Sequence, residues 1–231
     1  MNAASPELTC TPAQSVVRAA SHGKRTRAMK PPRSTLAAVF ALALAWPAAP
    51  SRADILYLAT GNAITKVTGG GSGSVFASTG LNAPYGLAFD SAGNLYAANA
   101  GNPNTIEKFT PGGVGSVFAS SGLSAPRALA FDGAGNLYAA NAVSNTIEKF
   151  TPSGVGSVFA SIGLSGPFGL AFDSAGNLYA ANSNNNTIEK FTPGGGISVF
   201  ASSGLSTPAG LAFDTAGNLY ALNAGNNTIE K

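Results

Sequence analysis

From residue 54 to residue 231, short apolar runs of four to six residues alternate with segments rich in Gly, Asn, Ser and Pro. Within the runs, bulky and small side chains alternate with a period of two, as in Leu87-Ala88-Phe89, which is typical of β-strands. Runs with the 3.6-residue period of an amphipathic helix are missing from this part of the sequence. The pattern therefore predicts an all-β domain over residues 54–231.

The strand-like runs belong to one repeated unit of about 41 residues. Each unit contains four of these runs, and turn residues such as those at Asp90–Asn94 and Thr110–Gly113 separate them. Four short strands in a unit of this length are typical of a β-propeller blade. A Phe-Asp pair marks the register of the copies, with spacings of 42, 41 and 41 residues, at Asp90, Asp132, Asp173 and Asp214.

The first and last units are incomplete in the sequence. Residues 54–80 match the second, third and fourth strands of a unit, and further units start near residues 84, 126, 167 and 208. The last of them stops within its third strand. This count predicts 18 strands in four to five antiparallel, four-stranded blades of a propeller that is incomplete or open. A tight five-bladed ring is the alternative.

The repeated motifs resemble those of the NHL-repeat family. In the clearest unit they read Pro-Tyr-Gly-Leu-Ala-Phe-Asp up to Asp90 and Gly-Asn-Leu-Tyr-Ala-Ala-Asn up to Asn99, followed by Asn-Thr-Ile. The resemblance covers nearly all of residues 54–231 and implies a β-propeller. It leaves the function open, because such propellers serve as enzymes, RNA binders, sensors and extracellular scaffolds. The chain departs from the family pattern in having Asn where the second strand usually ends in Asp, and Thr where Arg is common before Ile.

Residues 29–53 have the features of a secretory signal peptide. Basic residues in Met29–Arg33 precede an apolar run of 11 residues, Leu36–Trp46, and small side chains follow up to Ala53. Eleven apolar residues are too few to cross ~30 Å of hydrocarbon, which needs about 20. We expect cleavage after about Ala53 and a secreted, extracytoplasmic protein, with an uncleaved anchor or a buried helix as the alternative. Residues 1–28 are interpreted as a start-site artefact or an extended leader.

The charge balance changes once this leader is set aside. The full chain has a formal net charge of +3, whereas residues 54–231 carry six basic and nine acidic side chains. The lysines of this part occur once per unit and form no basic patch. We therefore predict no nucleic-acid partner, no binding to anionic membranes and no membrane span in the mature chain.

The repeats offer few groups for catalysis. Cys10, His22 and Trp46 all precede residue 54, so the repeats contain no thiol or imidazole. The repeated Asp residues could form a carboxylate ring for a cation, but their position in a turn explains them. The adjacent Glu and Lys of each third strand point to opposite faces, which favours cross-blade pairing or solvation. We predict no catalytic residue, no cofactor and no metal site.

Two sets of residues are candidates for ligand contact. The residue after the Pro that opens each unit varies, being Tyr85, Arg127, Phe168 and Ala209. An Arg127 side chain flanked in space by Tyr85 and Phe168 would hold an anionic or sugar-like ligand through charge and stacking, with drift at a tolerant surface position as the alternative. The second set ends the second strands and either satisfies loop backbone groups or forms a polar ligand-binding ring: Asn99, Asn141, Asn182 and Asn223.

Together these features predict a secreted, non-enzymatic β-propeller that acts as a binding or surface-scaffold module, with a protein or a glycan as its ligand. The alternative is a fragment of a metal-dependent lactonase-like or lyase-like propeller enzyme whose catalytic blades are absent here. The resemblance implies that such enzymes use metal-binding acids or His. Residues 54–231 have no His, and no acid outside the repeat register apart from Asp54.

Overall fold

The computed structural model describes residues 16–19, 55–68 and 71–231, the first of these segments as backbone only. These residues form 19 β-strands and no helix, so none of them belongs to a helix that could cross a membrane. The predicted signal peptide at 29–53 lies outside the described residues, as do Cys10, His22, Trp46 and Asp54. The strands are β1 (Val16–Ala19), β2 (Ile55–Thr60), β3 (Ala63–Val67), β4 (Gly73–Ala77), β5 (Pro84–Phe89), β6 (Leu95–Asn99), β7 (Thr105–Phe109), β8 (Gly115–Ala119), β9 (Pro126–Phe131), β10 (Leu137–Asn141), β11 (Thr146–Phe150), β12 (Gly156–Ala160), β13 (Pro167–Phe172), β14 (Leu178–Asn182), β15 (Thr187–Phe191), β16 (Ile197–Ala201), β17 (Pro208–Phe213), β18 (Leu219–Asn223) and β19 (Thr228–Glu230).

The strands form five antiparallel sheets, each of which is one blade of a β-propeller. Consecutive strands pair in sequence order within β1–β4, β5–β8, β9–β12, β13–β16 and β17–β19. Tight turns join most neighbouring strands, because Gly and Asn supply the positive φ that such turns need. The predicted all-β propeller with four-stranded antiparallel blades is confirmed.

The first blade differs from the sequence-based strand count. The repeat pattern gives this blade three strands, but β1 pairs with β2 as a fourth, with Val16 opposite Leu58 and Ala19 opposite Ile55. Strand pairing uses backbone groups that every residue carries. A segment without the repeat motif can therefore occupy the first-strand position of a blade.

The first strands of the blades lie at the centre and the fourth strands at the periphery. β5 contacts β9, β9 contacts β13, and β13 contacts β17, although none of these strands are paired in one sheet. The fourth strands instead expose one valine each, at Val75, Val117, Val158 and Val199.

The hydrophobic core consists of separate clusters between adjacent blades. In one of them, the Tyr96 ring packs edge-on against Phe118 of its own blade and Phe131 of the next, with ring centroids 5.0 Å apart in both pairs. Such aromatic pairs each contribute about 0.5–1.5 kcal/mol beyond the area they bury. Ala97 and Ala139 are fully buried in the neighbouring core clusters, where small side chains let the sheets approach closely.

The two ends of each blade differ in their chemistry. At the asparagine end, the second strand finishes at an Asn that pairs with the Pro starting the first strand, as Asn99 does with Pro84. At the turn end, an Asp-initiated hairpin such as Asp90–Asn94 joins the first strand to the second. The variable position of each unit follows its Pro, so it lies at the asparagine end, on the central strand.

Candidate functional site

Three side chains from three consecutive blades meet at the asparagine end of the central strands. The Arg127 guanidinium carbon lies 3.9 Å from the Tyr85 ring centroid and 5.4 Å from that of Phe168. Tyr85 and Phe168 belong to blades that are not neighbours, yet their rings are edge-on with centroids 6.1 Å apart. Side chains from non-adjacent blades can meet in this way only by converging toward the propeller axis. The structure thus places the three residues together, and we name them the Arg127 cluster.

The backbone beneath the cluster is unusually close-packed. A Cβ atom built on Gly86 would lie 2.9 Å from the Ala128 backbone, and one built on Gly169 would lie 2.9 Å from the Ala209 carbonyl oxygen. Cβ atoms do not approach other atoms this closely, so glycine is required for the central strands to lie at this separation. The close approach of β5 to β9 at Gly86 brings the preceding residue, Tyr85, within reach of Arg127, while that at Gly169 is between β13 and β17.

Arg127 has an unusual electrostatic environment. It is the one Arg in residues 54–231, and its Nε is buried and has no hydrogen-bond partner within the described part of the chain. A buried donor without a partner costs about 1–3 kcal/mol. Contact with the faces of two aromatic rings offsets part of that cost, since a cation over a ring gains about 0.5–2 kcal/mol.

The four strand-ending asparagines lie at the same end of the blades and are fully buried. Asn141 is representative: its Oδ1 accepts a hydrogen bond from the Ser124 amide at 3.0 Å, and its Nδ2 donates to the Gly122 carbonyl at 2.8 Å and to the Thr146 hydroxyl at 3.1 Å. The amide therefore satisfies loop backbone groups. The same three hydrogen bonds recur at Asn99, Asn182 and Asn223. Contact between these four asparagines and a ligand stays a prediction.

A second set of asparagines links neighbouring blades, and sequence reasoning missed it. Asn104 Oδ1 accepts a hydrogen bond from the Ala125 amide at 2.9 Å, and Asn145 Oδ1 accepts one from the Gly166 amide at 2.6 Å. Ala125 lies two residues before Arg127, so this contact helps to fix where the central strand starts. The available signal was an Asn directly before the Thr that opens each third strand.

The repeated Asp residues are fully occupied by their own hairpins. Asp132 Oδ1 accepts hydrogen bonds from the Ala134 and Asn136 amides, and its Oδ2 accepts from the Asn136 side chain and the Tyr138 hydroxyl. Burial alone would raise the pKa of the Asp132 carboxyl, but these hydrogen bonds outweigh it and lower the pKa below its ordinary value. The turn interpretation of these residues agrees with the structure.

The Glu residues of the third strands occupy a different environment from the one expected. Glu107, Glu148 and Glu189 are only 5–6% exposed, whereas cross-blade pairing or solvation was predicted. Burial raises the pKa of each of these carboxyls. The adjacent Lys instead stays in its own blade, where Lys108 Nζ lies 4.0 Å from Asp90 Oδ2 and 5.4 Å from the Tyr96 ring centroid.

The described residues do not fit a metal centre. They contain no group of three or more His, Cys, Asp or Glu side chains arranged to hold a metal ion. Two grooves of about 290 and 340 Å³ between blades lie at the turn end of the described residues, and the carboxylates that line them belong to the hairpins. The described residues therefore do not provide the ligands for the metal that the alternative function, a metal-dependent enzyme, implies.

Comparison with known proteins gives matches among solved structures. No protein-family model matches the chain, and no curated protein sequence matches it. Virginiamycin B lyase from Staphylococcus aureus is similar over 77% of this chain and 65% of its own, with a TM-score of 0.64 and 21% sequence identity. A streptogramin B lyase is similar over 76% of this chain and 64% of its own, with a TM-score of 0.64 and 18% identity. A gluconolactonase from Xanthomonas campestris is similar over 74% and 66%, with a TM-score of 0.63 and 18% identity.

These comparisons support the propeller and do not identify the family. The chain spans less than two thirds of the length of these three structures. At this sequence identity the likeness concerns the fold, and the resemblance to the NHL-repeat family stays a prediction.

The comparisons correct the prediction that the protein is not an enzyme. The similar structures are named as a lyase and a gluconolactonase, so this architecture is one that enzymes use. The prediction rested on the missing imidazole and on acids confined to the repeat register. Those observations exclude imidazole and thiol groups from residues 54–231. They do not exclude an enzymatic propeller.

Proposed function

We propose that this chain belongs to a propeller enzyme of the lyase or lactonase kind and that the Arg127 cluster binds its substrate. The observation that carries the proposal is the convergence of Arg127, Tyr85 and Phe168 from three blades toward the propeller axis. Clefts with a few polar groups among aromatic side chains are the usual form of small-molecule sites. The likeness in shape to a lyase and a gluconolactonase adds support.

The chemistry of the cluster suits binding and orientation of a ring-shaped compound. A guanidinium donates hydrogen bonds to carbonyl or carboxylate oxygens in the plane of its fork, while aromatic rings contact the apolar face of a ligand. The described residues do not supply ligands for a metal, so we assign no step to one. What these residues contribute is a fixed position for the substrate, which lowers the entropic part of a reaction barrier.

Binding and turnover by the full chain test this proposal together. The probes are glucono-δ-lactone and quinupristin, the compound named with a catalytically inactive virginiamycin B lyase. Binding is measured by calorimetric titration. Ring opening is measured by liquid chromatography with tandem mass spectrometry, because opening by elimination leaves the mass unchanged whereas hydrolysis adds one water. We expect saturable binding of at least one probe, weakened about tenfold in Arg127→Ala, since a lost charge-assisted hydrogen bond costs about 1.5–3 kcal/mol.

Lys149→Ala is the matched control, because Lys149 is a cation that also lies over a tyrosine ring, 5.4 Å from the Tyr138 centroid, but at the turn end. The affinity of the Lys149→Ala variant for the probe should equal that of the unmodified chain. The proposal fails if neither compound binds or is opened, or if the two variants lose affinity equally.

An extracytoplasmic location is part of the same proposal and rests on the sequence of residues 29–53. Expression in a secreting bacterium, followed by amino-terminal sequencing of the exported protein, tests it. We expect the mature protein to start at residue 54, after Ala53, so cleavage removes β1 and leaves β2–β4 as the first blade. A protein that stays in the cytoplasm with residues 29–53 attached contradicts this part.

A further inference from the structure

We infer that the Arg127 cluster is a carboxylate site, which binds the anion of a small organic acid whose body is a ring. This inference rests on the proposed function in one respect, that the same cluster faces the ligand, and it names the ligand class. It is carried by the charge, the number of cations and the shape of the cluster.

The charge of the site points to an anion. Residues 54–231 carry one Arg, and no ion pair holds its guanidinium within the described residues. The Asp carboxylates lie at the opposite, turn end, and the buried Glu carboxylates lie on the third strands, away from the central ones. Arg127 Nε is enclosed without a hydrogen-bond partner. A ligand that brings its own negative oxygens would supply the charge partner that the guanidinium lacks among the described residues.

Among the side chains that the structure describes, the number of cations points to a monoanion. Lys108, Lys149 and Lys190 all sit 5.4–5.5 Å from the tyrosine ring centroids of their own blades, near the Asp hairpins. None of these lysines shares the asparagine end with Arg127. A single guanidinium matches the one charge and the two coplanar oxygens of a carboxylate, whereas a phosphate dianion is usually held by more than one donor group of positive charge.

The shape of the cluster points to a ring as the body of the acid. Tyr85 covers the guanidinium at 3.9 Å, and Phe168 stands edge-on to Tyr85 with the guanidinium 5.4 Å from its own ring. These two half-buried rings provide the apolar contact area, and Ala209 at the same position of the next blade contributes only a methyl group. A flat ring can pack against the aromatic side chains while its carboxylate reaches Arg127.

A carboxylate site also distinguishes a lactone from the acid that forms when the lactone ring opens. A closed lactone is uncharged, and its ring-opened acid is an anion, so a carboxylate site binds the acid more tightly than the lactone. If the proposed function holds, gluconate should compete with glucono-δ-lactone through its carboxylate, but more weakly than benzoate does, because gluconate has no ring to pack against Tyr85 and Phe168.

The experiment uses calorimetric titration of the full chain with benzoate and with its uncharged analogue benzamide. We expect saturable binding of benzoate, and affinity for benzamide at least tenfold lower. Arg127→Ala should remove benzoate binding, and Lys149→Ala should leave it unchanged. Raising the salt concentration should weaken benzoate binding, because ions screen the attraction between the charges.

Arg127→Lys guards against a variant that does not fold. It keeps the charge and the stem but loses the planar fork, so we expect it to retain the fold by circular dichroism and to bind benzoate several-fold more weakly. Equal binding of benzoate and benzamide overturns the inference, as does benzoate binding that persists in Arg127→Ala or no benzoate binding by the unmodified chain.

The outcomes for the two proposals are distinguishable. Arg127-dependent binding of benzoate without ring opening of quinupristin or the lactone supports the carboxylate site and contradicts the enzymatic proposal. Ring opening of either compound, without preference for benzoate over benzamide, supports the enzymatic proposal and contradicts the carboxylate site.

Discussion

At the scale of single residues, the Asp of each hairpin is the most heavily bonded side chain. Asp132 accepts four hydrogen bonds from one five-residue turn and the strand behind it. We expect Asp132→Ala to lower the free energy of unfolding by about 1–3 kcal/mol, because it leaves several partly buried donors without acceptors. Urea denaturation followed by circular dichroism measures the change.

Gly133→Ser is the matched control for that substitution. Gly133 occupies the next position of the same turn, a Cβ there would meet nothing within 4 Å, and Ser stands at the same place in two other blades. Its unfolding free energy should stay within about 0.5 kcal/mol of the unmodified chain. Equal losses in both variants would contradict the importance of the carboxylate.

The role of a residue could be predicted from the sequence when its interactions lie within a few neighbouring residues. The Asp turns depend on five consecutive residues, and the variable position could be aligned by counting the repeat. Sequence alternation places Glu107 and Lys108 on opposite faces, but it does not reveal which face a neighbouring blade covers. The burial of Glu107 and the orphan Nε of Arg127 both depend on packing between parts of the chain that are distant in sequence.

At the scale of elements, the separation of the central strands depends on Gly86 and Gly169, and Gly210 at the same position of the next blade serves as the control. A Cβ on Gly86 would lie 2.9 Å from the Ala128 backbone, whereas one on Gly210 would meet only the Leu222 side chain of its own blade, at 3.4 Å. We expect Gly86→Ala to lower the unfolding free energy by about 1–3 kcal/mol, because the strands must move apart. Gly210→Ala should be neutral or stabilising by up to about 1 kcal/mol.

The same pair of variants connects the strands to the ligand site. Moving β5 away from β9 carries Tyr85 away from Arg127, so benzoate affinity should fall in Gly86→Ala and not in Gly210→Ala. Thermal unfolding and calorimetric titration of both variants check this. Equal thermal midpoints in the two variants would show that the backbones at Gly86 and Ala128 can separate without cost.

The elements also show where a repeat pattern stops being informative. The four strands of each complete unit follow the predicted runs, because every unit carries the same alternation and turn chemistry. β1 has no such motif, and it enters the blade by pairing with β2. A search for similar units cannot detect a strand that is recruited in this way.

At the scale of the whole molecule, the two repeated kinds of acid make opposite contributions to pH-dependent stability. The hydrogen-bonded Asp carboxyls have a pKa below their ordinary value of 3.8, so the stability they contribute is present above pH ~4 and lost as the pH falls through their folded pKa. Burial raises the pKa of Glu107, Glu148 and Glu189 above 4.5. The stability they contribute is therefore present below pH ~4.5 and lost as the pH rises through their folded pKa.

These opposite trends predict that the propeller is most stable near pH 4–4.5 and loses stability toward neutral pH. Replacing a buried Glu by Gln removes the carboxylate charge that burial disfavours and keeps the shape of the side chain. We expect Glu148→Gln to raise the thermal midpoint at pH 7 by ~2 °C and to leave it unchanged at pH 4. The exposed Glu230→Gln should raise the midpoint less at pH 7. Because the unit is repeated, the change should grow as Glu107 and Glu189 are replaced as well, and a midpoint that rises steadily from pH 4 to pH 7 in the unmodified chain would contradict the argument.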